Sequence, residues 1–142
     1  MSSAGPMTLS NSRQQSVDFS AELEVGALSA SRQPIDLIHL RRYTLGDSGL
    51  EKEVLDLFLA QLPATIEALG TAAPRAERSR AAHTLKGSGR AVGAWRIAAL
   101  AERVEQVVQG DAAADLSALV RQIEAAVVDV RGFVSATYVD AR

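Results

Sequence analysis

A chain of 142 residues without cysteine can form neither a disulfide nor a thiolate metal site, so its fold must stand on packing. Hydrophobic residues make up 47% and aromatics only 4%, which leaves Leu, Val, Ile and Ala to fill the interior, a composition of packed helices rather than a sheet. The formal charge of −2 argues against a nucleic-acid binder, and no apolar run reaches the roughly 18–20 residues needed to span a bilayer.

A soluble, cytoplasmic protein is therefore expected. Residues 1–33 are rich in Ser, Ala and Gln and lack the basic segment and long apolar run of a secretory signal. They are expected to be a mostly disordered tail ahead of a domain over 34–142. A weak amphipathic patch around Val17 to Leu28 could support self-association, although the bundle itself is expected to be a self-sufficient monomer.

From Pro34 the pattern becomes periodic. Pro34 is placed to open a short helix through about Tyr43, because its fixed φ suits the first helical turn. After the interruption "LGDSG" (45–49), Ser48 and Glu51 form a capping-box pattern, with Asp47 a competing cap, ahead of a helix over about 49–69. Its apolar stripe reads Leu50, Val54, Leu57, Phe58, Leu62, Ile66 and Leu69, and Pro63 predicts a bend near 59–63. Gly70 and Pro74 separate it from a third helix over about 74–91, which Gly93 closes in a left-handed cap. Trp95 to Gln109 reads as a fourth helix with Ile97, Leu100, Ala101, Val104 and Val108 inward. Gly110 stops it, and Asp111 can cap a fifth over about 112–138 with Leu116, Leu119, Val120, Ile123, Val127, Val130 and Val134 along one side. Four substantial amphipathic helices joined by short loops predict an all-α fold, an antiparallel up-down four-helix bundle with a short additional N-terminal helix.

The third helix carries "AAHTLKGSGRAVGA" (81–94). On a helix turning about 100° per residue, Ala81, Leu85, Ser88 and Val92 fall opposite His83 and suit the core. His83 then faces outward, with Ala76, Ser79, Arg80, Lys86, Gly87 and Arg90 within about 60° of its direction. An outward imidazole offers a nucleophilic nitrogen near pH 7 and can be phosphorylated. Lys86, one turn on, supplies a flexible ammonium for an arriving phosphoryl group, with Arg80 and Arg90 further along. Gly87 leaves room for the ring, its phosphoryl group and a docking protein, at about 1 kcal/mol of helix stability relative to alanine. Residues 74–92 hold five cations, Arg75, Arg78, Arg80, Lys86 and Arg90, against one acid, Glu77. Such a helix should steer an acidic partner, and Ser79, Arg80 and Arg90 are the candidate partner-binding positions.

"HTLKGS" (83–88) followed by "GAWRIAALAERVE" (93–105) resembles the histidine-containing phosphotransfer (HPt) domains of two-component phosphorelays. The similarity covers about 75–105, and "LRRYTLGDSGLEKEVLDLFLAQLP" (40–63) looks like the segment such domains place before the motif. Ala101 stands where many members carry cysteine, a change of packing only. The resemblance implies a four-helix bundle whose exposed histidine takes a phosphoryl group from the aspartate of one receiver domain and passes it to another. Carried over by position, His83 is the phosphoacceptor, Lys86 the stabilising cation and Gly87 the clearance residue. Response-regulator receiver domains are then the partners, with a hybrid histidine kinase as a further one. Mg2+ is expected in the receiver's pocket, and this chain is expected to need no metal or other cofactor and to be a phosphotransfer intermediate rather than an enzyme.

Other readings of the same residues are weaker. A helical histidine taken alone is an ordinary surface residue. His39 has Tyr43 four places on, a bulky ring where clearance is needed, and reads as structural or merely exposed. "GSGRAVG" (87–93) lacks the preceding strand and the Gly-Lys-Ser/Thr ending of a phosphate loop. No zinc-ligand spacing stands out, a helical histidine without nearby acids makes a poor triad, and Trp95 reads as a packing or interface residue. Two alternatives remain. A histidine-kinase dimerisation core is disfavoured because Thr84, not an acid, follows the histidine and no ATP-binding domain fits. The other is a non-phosphorylated helical adaptor that binds receiver domains.

Overall fold

A computed structural model describes residues 33–70, 72–110 and 115–139, all within the unit Gln33–Arg142. The expected tail and the Val17–Leu28 patch lie outside the described residues. The described residues form five helices and no strand: α1 (Leu37–Thr44), α2 (Ser48–Leu69), α3 (Arg75–Val92), α4 (Trp95–Gln109) and α5 (Leu116–Thr137). The long helices α2 and α4 each pack against both α3 and α5, and α1 rests on α2 and α3. Leu, Ile, Val and Ala fill the interior, joined there by Phe58 and Tyr138.

Aspartates cap the starts of α1, α2 and α5. Asp36 accepts from the His39 amide at 3.1 Å, Asp47 from Leu50 at 3.0 Å and Asp115 from Ala118 at 3.2 Å. Each carboxylate satisfies an orphan first-turn amide and places negative charge at the positive end of the helix dipole. Three sequence expectations are thereby corrected. Helix α1 begins at Leu37 under Asp36 rather than at Pro34. Asp47, the competing cap, starts α2 in place of Ser48. Asp115 caps α5, which begins at Leu116 rather than about 112, while Asp111 lies outside the described residues.

Glu51 does not reach back to complete a capping box. It is fully buried, and its carboxylate accepts from Arg41 Nε at 3.0 Å, Thr44 Oγ1 at 3.3 Å and Tyr138 Oη at 2.9 Å. Three donors make a buried carboxylate tolerable, and here they join α1, α2 and the end of α5. With Glu51 inward, the buried face of α2 comprises Leu55, Phe58, Leu59, Leu62 and Leu69. Leu50 and Leu57, expected inside, are exposed at 41% and 61%, and Val54 and Ile66 are only partly buried. Helix α2 runs through Pro63 without interruption.

The inward residues of α4 are as expected, with Ile97, Leu100, Ala101, Val104 and Val108 buried and Ala98 beside them. In α5, Leu119, Ile123, Val127, Val130 and Val134 are buried, while Leu116 and Val120 pack at the edge of the core.

The α3–α4 turn is tight because glycine permits it. Gly93 has φ +83° as the left-handed cap of α3, and a Cβ there would lie 2.8 Å from the carbonyl oxygen of Asp36. A Cβ on Gly89 would lie 3.2 Å from the Ala98 amide nitrogen, so the two helices meet backbone to backbone. Asp36 fastens α1 to this turn: its amide donates to the Gly93 carbonyl at 2.9 Å and its Oδ2 accepts from Trp95 Nε1 at 2.9 Å. His39 packs edge-on against Trp95 and Tyr43, with ring centroids 4.8 and 5.5 Å apart.

Candidate functional site

Helix α3 buries Ala82, Leu85, Gly89 and Val92. Ala81 and Ser88, expected in the core, are half-buried. The inward face is turned toward Ala82 and Gly89 because α4 approaches on that flank, where glycine admits it. His83 nonetheless lies on the outer side, its side chain 72% exposed.

The ring is not alone there. Glu105, on α4 and only 12% exposed, accepts from Lys86 Nζ at 2.6 Å with Oε1 and lies 2.9 Å from His83 Nδ1 with Oε2. The Lys86 hydrogen bond holds the Glu105 carboxyl below the usual carboxylate range, against burial, which pushes it up, and the His83 contact adds to the lowering. An ionised carboxylate can only accept, so Nδ1 carries the hydrogen and donates. In the neutral ring the lone pair then sits on Nε2. One acid thus selects the tautomer, fixes the ring's orientation and anchors the neighbouring ammonium.

A second rung lies one turn along, where Arg90 Nη2 meets Glu102 Oε1 at 2.9 Å. Lys86 pairs with Glu105 and Arg90 with Glu102, so α3 and α4 run in opposite directions across the Gly93 turn. The expectation of a histidine without nearby acids is corrected by these contacts. Glu105 closes the quoted "GAWRIAALAERVE" run, and a hairpin folding back at Ala94 places residue 105 opposite residue 83. That reflection was the available signal.

The five cations of this segment are not equally available. Lys86 and Arg90 are matched by acids. Arg75 donates from Nε to the Val108 carbonyl at 2.7 Å and from Nη2 to Gln109 at 3.0 Å, capping the orphan carbonyls at the end of α4. Arg78 is half-buried. Arg80 is exposed and has no ion-pair partner among the described residues. Ser79 is half-buried beside it.

Gly87 is exposed, and a Cβ built on it would meet nothing within 4 Å. Unlike Gly89 and Gly93, it answers no packing demand of the fold. A shallow cavity of about 500 Å³ near the α2–α3 turn is lined by alanines, Pro74, Glu67 and Glu77 and contains none of the residues around His83. Among the described residues no group of three or more metal-ligating side chains gathers, and no helix is long and apolar enough to cross a membrane.

A family model described as the Hpt domain matches residues 53–133, more than half of the chain, including all of α3 and α4. No curated protein and no solved structure is significantly similar to the chain.

Proposed function

Because the chain belongs to the Hpt domain family, whose members take part in phosphorelay histidine phosphotransfer, we propose that it relays a phosphoryl group between aspartates of response-regulator receiver domains through a phosphohistidine at His83. The observation that carries this reading is the exposed ring whose Nδ1 is held by Glu105 at 2.9 Å, which leaves Nε2 as the nucleophile.

The Nε2 lone pair attacks the phosphorus of a receiver's aspartyl phosphate. The N–P bond forms as the acyl P–O bond breaks, and the receiver's carboxylate leaves with the bonding pair. Positive charge develops on the imidazole, whose Nδ1–H remains on Glu105, so the carboxylate stabilises the charge as it appears. The step runs backward onto a second receiver by the same geometry. Lys86 supports the phosphorylated state by its charge and by holding Glu105. Gly87, four residues from His83, leaves the approach to Nε2 open.

In this reading the long helices α2–α5 form an antiparallel up-down four-helix bundle with α1 as the short addition. The chain is a phosphotransfer intermediate, with Mg2+ in the receiver's own acidic pocket and no cofactor assigned to this protein.

Incubation with a radiolabelled phosphorylated receiver should label the wild type and leave His83→Gln unlabelled. ATP-dependent self-labelling would instead identify a kinase core, and receiver binding without label an adaptor.

A further inference from the structure

Lys86 is neutralised by Glu105 and Arg90 by Glu102. Among the described residues, three cations of α3 lack an acid: Arg75 is held by the carbonyls that end α4, Arg78 is half-buried, and Arg80 alone of the three is exposed close to His83 without a partner. It stands three residues before His83, so their Cβ atoms are about 5–6 Å apart on one face of α3.

Its flank matters as much as its charge. Viewed along α3, Lys86 lies on one side of His83, toward α4, and Arg80 lies on the other, since three residues back and three residues forward step in opposite directions around the helix. Nδ1 points to Glu105 on the Lys86 side. Nε2 is therefore on the ring edge turned away from Glu105, and Arg80 stands on the flank of His83 that Lys86 and Glu105 do not occupy.

Resting on the relay reading above, we propose that Arg80 is the cation that receives the incoming phosphoryl-bearing partner and sets the rate of encounter. Lys86 acts after arrival, on the phosphorylated ring. A phosphoryl group carries nearly two negative charges at neutral pH, so a partner that brings this group to His83 presents an anionic group there. An unmatched guanidinium beside the nucleophile attracts that group over a distance set by ionic strength, whereas a lysine closed on a carboxylate presents little net field. Charges of this kind change association rates and salt dependence rather than the chemistry within the complex.

The test measures transfer from a phosphorylated receiver over a series of receiver concentrations and at several ionic strengths. Arg80→Ala should lower the second-order rate about threefold to tenfold at low salt, flatten its salt dependence, and leave the saturating rate and the phosphohistidine lifetime unchanged. Arg80→Lys should restore most of the loss. Arg103→Ala, the same charge change on an exposed residue of α4 outside the paired rungs, should have little effect. A wild-type salt slope in Arg80→Ala, or a shortened phosphohistidine lifetime in place of a slower encounter, overturns the assignment while the relay stands. Failure of the wild type to accept label removes the relay and this role together.

Discussion

Of the glycines in α3 and its cap, Gly87 is the one whose replacement separates function from fold. Gly87 sits in an exposed helix interior where a Cβ has nothing within 4 Å. Gly87→Ala should therefore stabilise the protein by about 0.5–1 kcal/mol, through the lower conformational entropy of the unfolded chain. For a domain of this size that raises Tm by roughly 2–4 °C. Gly87→Leu should keep much of the gain, since leucine is also a good helix former, while placing a branched side chain one turn from His83 over the approach to Nε2. Transfer should then fall about tenfold or more, with a much smaller loss for alanine. Gly89→Ala is the converse. Its Cβ would press on the Ala98 amide nitrogen at 3.2 Å and the Ala94 carbonyl at 3.3 Å, costing about 1–3 kcal/mol as overpacking. Thermal unfolding followed by circular dichroism gives the stabilities, and label transfer at fixed temperature gives the rates. Unfolding of Gly87→Leu would show that the glycine serves the fold, and a wild-type transfer rate in that variant would remove the clearance role.

Two further outcomes follow from the acids. The folded-state carboxyl of Glu105 is lowered, so its stabilising contribution is present above the unfolded value of about 4.3 and is lost as pH falls through the folded value. The stability gap between wild type and Glu105→Gln should be open at pH 7 and close in acid, by up to about 1 kcal/mol for a pair near the surface; a gap that ignores pH in urea titrations would contradict this. Tyr138→Phe should cost about 1.5–3 kcal/mol at pH 7, because it removes a buried donor to the Glu51 carboxylate. Burial, then Glu51, pushes the Tyr138 phenol up to about 12, so the benefit of the hydroxyl should persist to about pH 10 and vanish as pH rises toward 12. Unfolding curves at pH 7 and 11 that separate the two proteins equally would refute that account.

What could be read from the chain divides along physical lines. Helices α3 and α4 were legible because their signals are local: a three-to-four-residue apolar rhythm, a glycine placed for a left-handed cap, and a histidine whose core-facing residues lie on the opposite side. Helix α2 was less so. It carries leucines on two flanks, and period alone could not say whether Leu50 and Leu57 or Leu55 and Leu59 face inward. The deciding residue, Glu51, is a buried acid whose donors come from residues 41, 44 and 138, and the last of these is distant in the chain. The same limit applied at the site. The exposure of His83 and Gly87 follows from helical geometry, but Lys86, expected on the same outward face, is only 19% exposed because it is drawn onto Glu105, and the bonds from His83 and Lys86 to Glu105 cross between helices. A count of five cations against one acid along a single segment overstated the field, because the compensating acids stand on the neighbouring helix.

The indole that Asp36 grips is the chain's sole tryptophan, and it is flanked by the His39 ring. Intrinsic fluorescence is thus an optical gauge of one joint, the seat where the short first helix meets the turn that follows α3. Loosening of that seat would change the emission without any attached dye, so partner titrations can ask whether docking at His83 is felt at the far end of α3.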